Sequence, residues 1–229
     1  MRVAGVDEAG RGCVIGPLVV AGAVFDEEDL PLLTEMGVKD SKRLTSRRRL
    51  VLADKIRDLA LDVSYFELPP RVIDKVVFRS KPLRRLNYLE TMVMAKVLRD
   101  LKPDAAYVDT CDVDNRRCGE QMRSVLLFEV DVVCEPKADT VYPVTGAASI
   151  LAKVRRDQVV AELRELHGDF NSGYPSDRKT SEFIEGWFRE HSECPPWMRA
   201  SWATVRQHTG FKQTRLTPLR GPSRRDPAR

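Results

Sequence analysis

The sequence predicts an α/β protein in which a mixed β-sheet is covered by helices. Three observations lead there. Strand-like apolar runs open the chain as a meander and then alternate with segments of helical periodicity, the pattern of a sheet with helices laid upon it. Two of the runs, residues 3–7 and 105–109, are short stretches of small and β-branched residues that end in an acid. At 229 residues and 42% hydrophobic content, the chain has apolar material for one large domain and is not a disordered protein.

Residues 3–12 read Val-Ala-Gly-Val-Asp-Glu-Ala-Gly-Arg-Gly. A buried strand rarely finishes in two carboxylates, because an unpaired buried charge is costly. A cation is therefore expected beside Asp7 and Glu8. Gly10 and Gly12 carry no Cβ, so backbone N–H groups on either side of Arg11 can approach a ligand closely. Residues 17–25 form the second strand, and 26–29 an acidic turn. Residues 38–43 form a polar loop with Lys39, Ser41, Lys42 and Arg43. A helix over 45–60 has an apolar stripe of Leu52, Ala53, Ile56, Leu59 and Ala60, capped by Thr45. Residues 62–68 alternate as a strand; Pro69-Pro70 ends it and opens a short helix through 77. A long helix spans 83–101 and stops at Pro103. After the third run, 105–109, come a helix including 119–124, a strand over 126–135 and a long helix over 144–166. Residues 171–177 are a turn-rich loop. Residues 180–190 are helical, with Phe183, Ile184, Trp187 and Phe188 on one face. From 211 the chain is rich in Pro, Gly and Arg and is expected to be mobile.

Several function classes fall away. No run of about 18 apolar residues exists to span a membrane, and the N-terminus lacks a signal-peptide pattern. The five cysteines are scattered without a C-x-x-C pair, which argues against a disulfide framework or zinc knuckle and for reduced thiols in a cytoplasmic protein. The three histidines lack metal-ligand spacing and read as surface residues; no G-x-S-x-G elbow marks a serine hydrolase. The glycine pattern 10, 12, 16 resembles a dinucleotide-binding turn, but that turn needs a helix next, and a β-rich run follows. Residues 211–229 hold six basic residues and one acid, +5, leaving −1 for the rest of a chain whose net charge is +4. The body is therefore not a globally basic nucleic-acid binder, and the tail is a separate electrostatic arm.

Asp7, Glu8, Asp109 and Asp139 each stand at a strand end or just after one. Gathered in space they would make an oxygen-only site suited to Mg²⁺, and two ions about 3.5–4 Å apart can promote phosphodiester hydrolysis. The competing reading, that each acid is a cap or a solvated turn residue, carries about equal weight from spacing alone; Asp139 could simply cap the helix after it. Neighbours in a regular strand point to opposite faces, so Asp7 and Glu8 share a site only where the strand ends or twists. Tyr174 is open to two readings, a nucleotide-stacking ring or a structural turn tyrosine.

Taken together the motifs resemble the type 2 ribonucleases H, the ribonuclease HII family. They are Asp7-Glu8-Ala9-Gly10-Arg11-Gly12, Asp40-Ser41-Lys42, Val108-Asp109 and Lys137-Ala138-Asp139, joined by Ala147-Ala148-Ser149-Ile150-Leu151-Ala152-Lys153 and Gly173-Tyr174-Pro175-Ser176-Asp177. Six motifs in family order over residues 1–208 are highly specific. The resemblance implies a ribonuclease H-like mixed five-stranded sheet flanked by helices. It implies a catalytic domain over 1–208, including a C-terminal helical region from about 165, with a basic tail over 209–229. It implies endonucleolytic cleavage of RNA in RNA–DNA hybrids and at ribonucleotides embedded in duplex DNA, leaving 3′-hydroxyl and 5′-phosphate ends, by a monomer using Mg²⁺ or Mn²⁺. By position, Asp7, Glu8, Asp109 and Asp139 would be the metal-binding catalytic acids. Gly10, Arg11 and Gly12 would read the 2′-hydroxyl, the group that separates RNA from DNA, and Tyr174 would stack on the following sugar. Ser41, Lys42 and Ser149 would be phosphate contacts. Non-catalytic binding and DNA-only cleavage on the same fold are the alternatives. Two positions depart from the family pattern: Cys13, where another small residue or proline is usual, and Arg178, where proline is. Residues 213–219 loosely resemble a sliding-clamp-binding peptide without its aromatics. A weak clamp contact and a basic arm for duplex backbones both stand, and composition favours the arm.

Overall fold

The computed structural model describes residues 1–38, 44–79, 86–110, 112 and 114–209. Five strands, β1 (Arg2–Ala9), β2 (Leu18–Asp26), β3 (Asp62–Leu68), β4 (Ala105–Asp109) and β5 (Asp131–Glu135), form one sheet in the order β3-β2-β1-β4-β5. The first three are an antiparallel meander, and β4 and β5 add parallel to β1. This is the mixed sheet expected. A β-strand, not a helix, follows the Gly10–Gly16 turn, which removes the dinucleotide reading.

Strand alternation sorts the core. Val3, Ala9, Ala21, Ala23 and Phe25 pack with α1 (Leu30–Met36), α2 (Ser46–Leu59) and α7 (Pro143–His167). Ala4, Val6, Val20 and Val24 pack on the other face with α4 (Leu86–Leu101) and α5 (Asn115–Arg123). In α2 the predicted stripe is buried through Leu52, Ala53 and Ile56, and the Thr45 side chain accepts the Arg48 N–H as the cap. Each large side chain fully buried this way contributes about 1.5–3 kcal/mol. α7 approaches the sheet backbone to backbone: a Cβ on Gly5 would lie 2.0 Å from the Val144 carbonyl oxygen. Thr145 Oγ1 donates to the Tyr107 carbonyl at 3.0 Å, fixing the helix over β4 as well.

A third, smaller core joins Val14 and Ile15, just after β1, to Val160 of α7, Phe170, Ile184 of α8 (Arg178–Glu190), Trp197, Met198 and Val205 of α9 (Ala203–Arg206). Arg178, one of the two departures, is the first residue of α8, where proline is also well accommodated; its Nε donates to Glu182 Oε1 at 2.7 Å. α3 (Pro70–Val77) begins and ends as the sequence predicts.

One helix was not expected, and two element starts differ from the expected ones. Residues 30–36 form α1, where the sequence marks only the turn before it. β5 starts at Asp131 and not at 126, because Val125, Phe128 and Val130 pack on the core as a loop. The helix expected around 119–124 begins at Asn115, since the Asp114 side chain caps it by accepting from the Arg117 N–H at 3.1 Å.

Candidate active site

Three elements bring three acids to one point. Asp7 lies in β1, Asp109 ends β4, and Asp139 sits in the single-turn α6 (Ala138–Val141). One carboxylate oxygen from each lies within 4.8 Å of the others. Lys137, at φ 63°, reverses the chain after β5 and so returns Asp139 toward β4. The Lys137 N–H donates to Asp109 Oδ1 at 2.8 Å, which orients that carboxylate. Asp139 is a cluster member inside α6 and not the cap of the helix that follows; Tyr142 holds the N-cap position of α7.

Glu8 is not one of the three that meet within 4.8 Å. Odd positions of β1 face α7 and even positions face α4, so Asp7 and Glu8 leave the strand on opposite sides. Glu8 lines the adjoining cavity at the strand's end and remains close enough for its charge to act on Asp7. Burial first, then the charges of Glu8 and Asp109, push the Asp7 carboxyl well above its ordinary 3.8, against a Ser149 hydrogen bond that favours the ionised form. Ser149 is fully buried beneath the acids and accepts from Lys153 Nζ at 2.7 Å. Carboxylates crowded into a buried, oxygen-only set are the donors that hard divalent cations take, so these residues fit Mg²⁺ or Mn²⁺.

Beside the acids lies a cavity of about 410 Å³ lined by Glu8, Ala9, Gly10, Arg11, Gly12, Arg49, Lys153, Arg156 and Tyr174. Gly10 turns the chain at φ 83°, and a Cβ there would meet the Pro17 carbonyl at 2.8 Å. The Arg11 side chain is anchored on α4: Nε donates to Glu90 Oε1 at 2.9 Å and Nη2 to Asn87 Oδ1 at 2.7 Å. Glu90 is 3% exposed, and burial raises its pKa to about 7 although Arg11 pulls it down. The Tyr174 ring is 3.6 Å from where a Gly12 Cβ would be, and the Arg156 guanidinium lies 5.1 Å from its centre. The Val14 and Ile15 N–H groups both donate to the Gly173 carbonyl, so the tyrosine loop is fastened to the segment that follows the glycine turn. Cys13, the other departure, is fully buried under this loop.

The structure thus brings together Asp7, Asp109, Asp139, Glu8, Gly10, Arg11, Gly12 and Tyr174, with Ser149 below them. Ser41 and Lys42 lie outside the described residues. Arg49, Lys153 and Arg156 escaped the sequence reading as site residues; on helices α2 and α7 they resemble ordinary solvated charges. For the two on α7 the signal was spacing: Ser149, Lys153 and Arg156 follow at i, i+4 and i+7 on one helix face.

A family model described as Ribonuclease HII matches residues 4–205. Ribonuclease HII of Thermococcus kodakarensis is 46% identical over 209 residues, covering 90% of this chain and 89% of the relative. The crystal structure of ribonuclease H2 from Pyrococcus horikoshii OT3 superposes with a TM-score of 0.84 at 41% identity, over 92% of this chain and 98% of that one. A PCNA:RNase HII complex from Archaeoglobus fulgidus matches with a TM-score of 0.79 at 40% identity, over 88% and 95%.

Proposed function

The chain belongs to the ribonuclease HII family and is an endoribonuclease of the ribonuclease H type, and on that premise we propose that it cleaves RNA in RNA–DNA hybrids and at single ribonucleotides embedded in duplex DNA, leaving 3′-hydroxyl and 5′-phosphate ends. The observation that carries the reading is the convergence of Asp7, Asp109 and Asp139 within 4.8 Å beside a cavity floored by a Gly-Arg-Gly turn. Asp7, Asp109 and Asp139, with Glu8 at the cavity edge, hold two divalent cations, Mg²⁺ or Mn²⁺. Bound there, the ions supply Lewis-acid and water-activating chemistry. Lys137's amide aims Asp109, and Ser149 supports Asp7 and Lys153. The amides of the Gly10-Arg11-Gly12 turn receive the ribose 2′-hydroxyl, and Tyr174 stacks on the next sugar. Arg49, Lys153 and Arg156, together with Ser41 and Lys42, meet backbone phosphates.

Residues 1–208 act as the catalytic unit in this reading, and 209–229 as a basic arm on the duplex. The arm's sign is tested by deletion of 211–229, which should flatten the salt dependence of duplex binding. The clamp complex of the Archaeoglobus relative supports a second role for the tail, a weak sliding-clamp contact. Calorimetry of a 211–229 peptide against a clamp tests that role, and absence of heat ends it.

The deciding experiment is cleavage of a DNA duplex carrying one ribonucleotide, in Mg²⁺ or Mn²⁺, beside an all-DNA duplex of the same sequence. Cutting of the first alone, with the stated ends, is expected, and Asp7→Asn abolishes it. Equal cutting of both duplexes, or retained turnover in Asp7→Asn, overturns the proposal.

A further inference from the structure

The turn assigned to ribose recognition is held from behind by a residue 189 positions away in sequence. Arg199 is fully buried, and burial lowers its guanidinium pKa to about 10, so it stays charged at neutral pH. Nη1 donates to the Arg11 carbonyl at 2.7 Å, and Nη2 to the Gly10 carbonyl at 2.7 Å and the Gly16 carbonyl at 3.1 Å; Nε adds a bond to Gly16 at 3.2 Å. The Trp202 ring centre lies 4.8 Å from the guanidinium, and its Nε1 donates to the Gly12 carbonyl at 3.3 Å. Three successive carbonyls, from Gly10 to Gly12, are therefore drawn toward one segment, residues 199–202. That segment is itself fixed, since the Arg199 N–H donates to the Val14 carbonyl at 2.9 Å.

Peptide geometry supplies the consequence. In a planar trans unit the C=O and the following N–H point in opposite directions, and none of the described peptide bonds is cis. Holding the Gly10 and Arg11 carbonyls on Arg199 turns the Arg11 and Gly12 N–H groups away from it, to the side where the turn lines the cavity. The next amide, Cys13 N–H, closes the turn on the Gly10 carbonyl at 3.2 Å. On the far side, Glu90 and Asn87 grip the Arg11 side chain. A guanidinium forks rigidly over several acceptors, which a lysine ammonium cannot reproduce.

We infer that Arg199 is a positioning residue for ribose selection: by binding the carbonyls of Gly10 and Arg11 it presents the Arg11 and Gly12 amides to the 2′-hydroxyl, with Trp202 completing the set at Gly12. The inference rests on the reading of the turn given above. It also makes the C-terminal helical region part of specificity and not only of folding.

The test is equilibrium binding in EDTA to two duplexes that differ by one ribose, using the full chain, Arg199→Lys and Trp202→Phe. The wild type should prefer the ribonucleotide duplex. Arg199→Lys should lose that preference by roughly tenfold, the scale of one charge-assisted hydrogen bond, while binding all-DNA duplex as the wild type does. Trp202→Phe keeps the ring over Arg199 but loses the bond to Gly12, so it should show a smaller loss in the same sense; it keeps the test decisive if circular dichroism finds Arg199→Lys unfolded. Folded variants with the preference intact, or with both affinities falling together, overturn the inference. A wild type that binds the two duplexes equally instead overturns the reading of the turn itself.

Discussion

Among the described glycines, Gly5 leaves the least room for a side chain and gives the sharpest prediction. A Cβ on Gly5 would lie 2.0 Å from the Val144 carbonyl oxygen and 2.4 Å from the Thr145 nitrogen, whereas ordinary contact begins at 3.4 Å. Gly5→Ala must therefore drive α7 away from β1 by about 1.4 Å, the difference between those distances. Overpacking of this kind costs about 1–3 kcal/mol, and the obstacle here is backbone, which puts the cost at the upper end. For a domain of this size, about 3 kcal/mol lowers the thermal midpoint by roughly 6–12 °C. Function should suffer more than stability. α7 carries Ser149, Lys153 and Arg156, and α6, which leads into it, carries Asp139. Misplacing a reacting array by about 1 Å costs on the order of a hundredfold in rate. Thermal unfolding by circular dichroism, and the turnover rate on a duplex with one ribonucleotide, measure the two effects. Gly186→Ala is the control: α8 leaves open space there, and the change should be neutral or slightly stabilising. A Gly5→Ala protein with wild-type midpoint and wild-type rate would refute the packing argument.

Three further predictions concern charge. Because the folded Asp7 carboxyl is held well above 3.8, its contribution to the metal-free protein is fully present below that value and is lost as pH rises through the raised one; in EDTA at pH 8, Asp7→Asn should therefore melt above the wild type, and a lower midpoint contradicts the assignment. Glu90 titrates at about 7 in place of 4.5, so its share of stability, about 3 kcal/mol, is complete below 4.5 and gone above about 7. Calorimetry in EDTA should find the Glu90→Gln midpoint less pH-dependent across that window than the wild type's. Lys153→Ala and Arg156→Ala should each reduce the slope of log binding constant against log salt by about 1, read by fluorescence anisotropy on duplex DNA, with an unchanged slope counting against a phosphate contact.

Where residues announce their own local chemistry, the fold was legible in the chain. Thr45 caps α2, Pro69-Pro70 separates β3 from α3, and the alternating residues 62–68 are β3. Legibility failed where tertiary packing outweighs periodicity. The apolar run after Leu126 looks like strand, but Phe128 and Val130 serve the core from a loop. α1 buries only Leu33, too little to print a stripe, and the four-residue α6 is too short for any period. The acids were visible because strand-end carboxylates are unusual. That Asp7 and Glu8 leave β1 on opposite faces follows from strand alternation; which of those faces meets α7 was not legible. Arg199 was invisible for the opposite reason: in sequence a buried arginine among Trp197, Met198 and Trp202 resembles any exposed one, and only the carbonyls it meets reveal its use.

The most direct test of the central claim is anomalous diffraction from crystals of the chain soaked in Mn²⁺. Peaks should appear at coordination distance from Asp7, Asp109 and Asp139 together, paired about 3.5–4 Å apart as two-ion hydrolysis requires. Well-ordered crystals in saturating Mn²⁺ with no peak between those three carboxylates would contradict it.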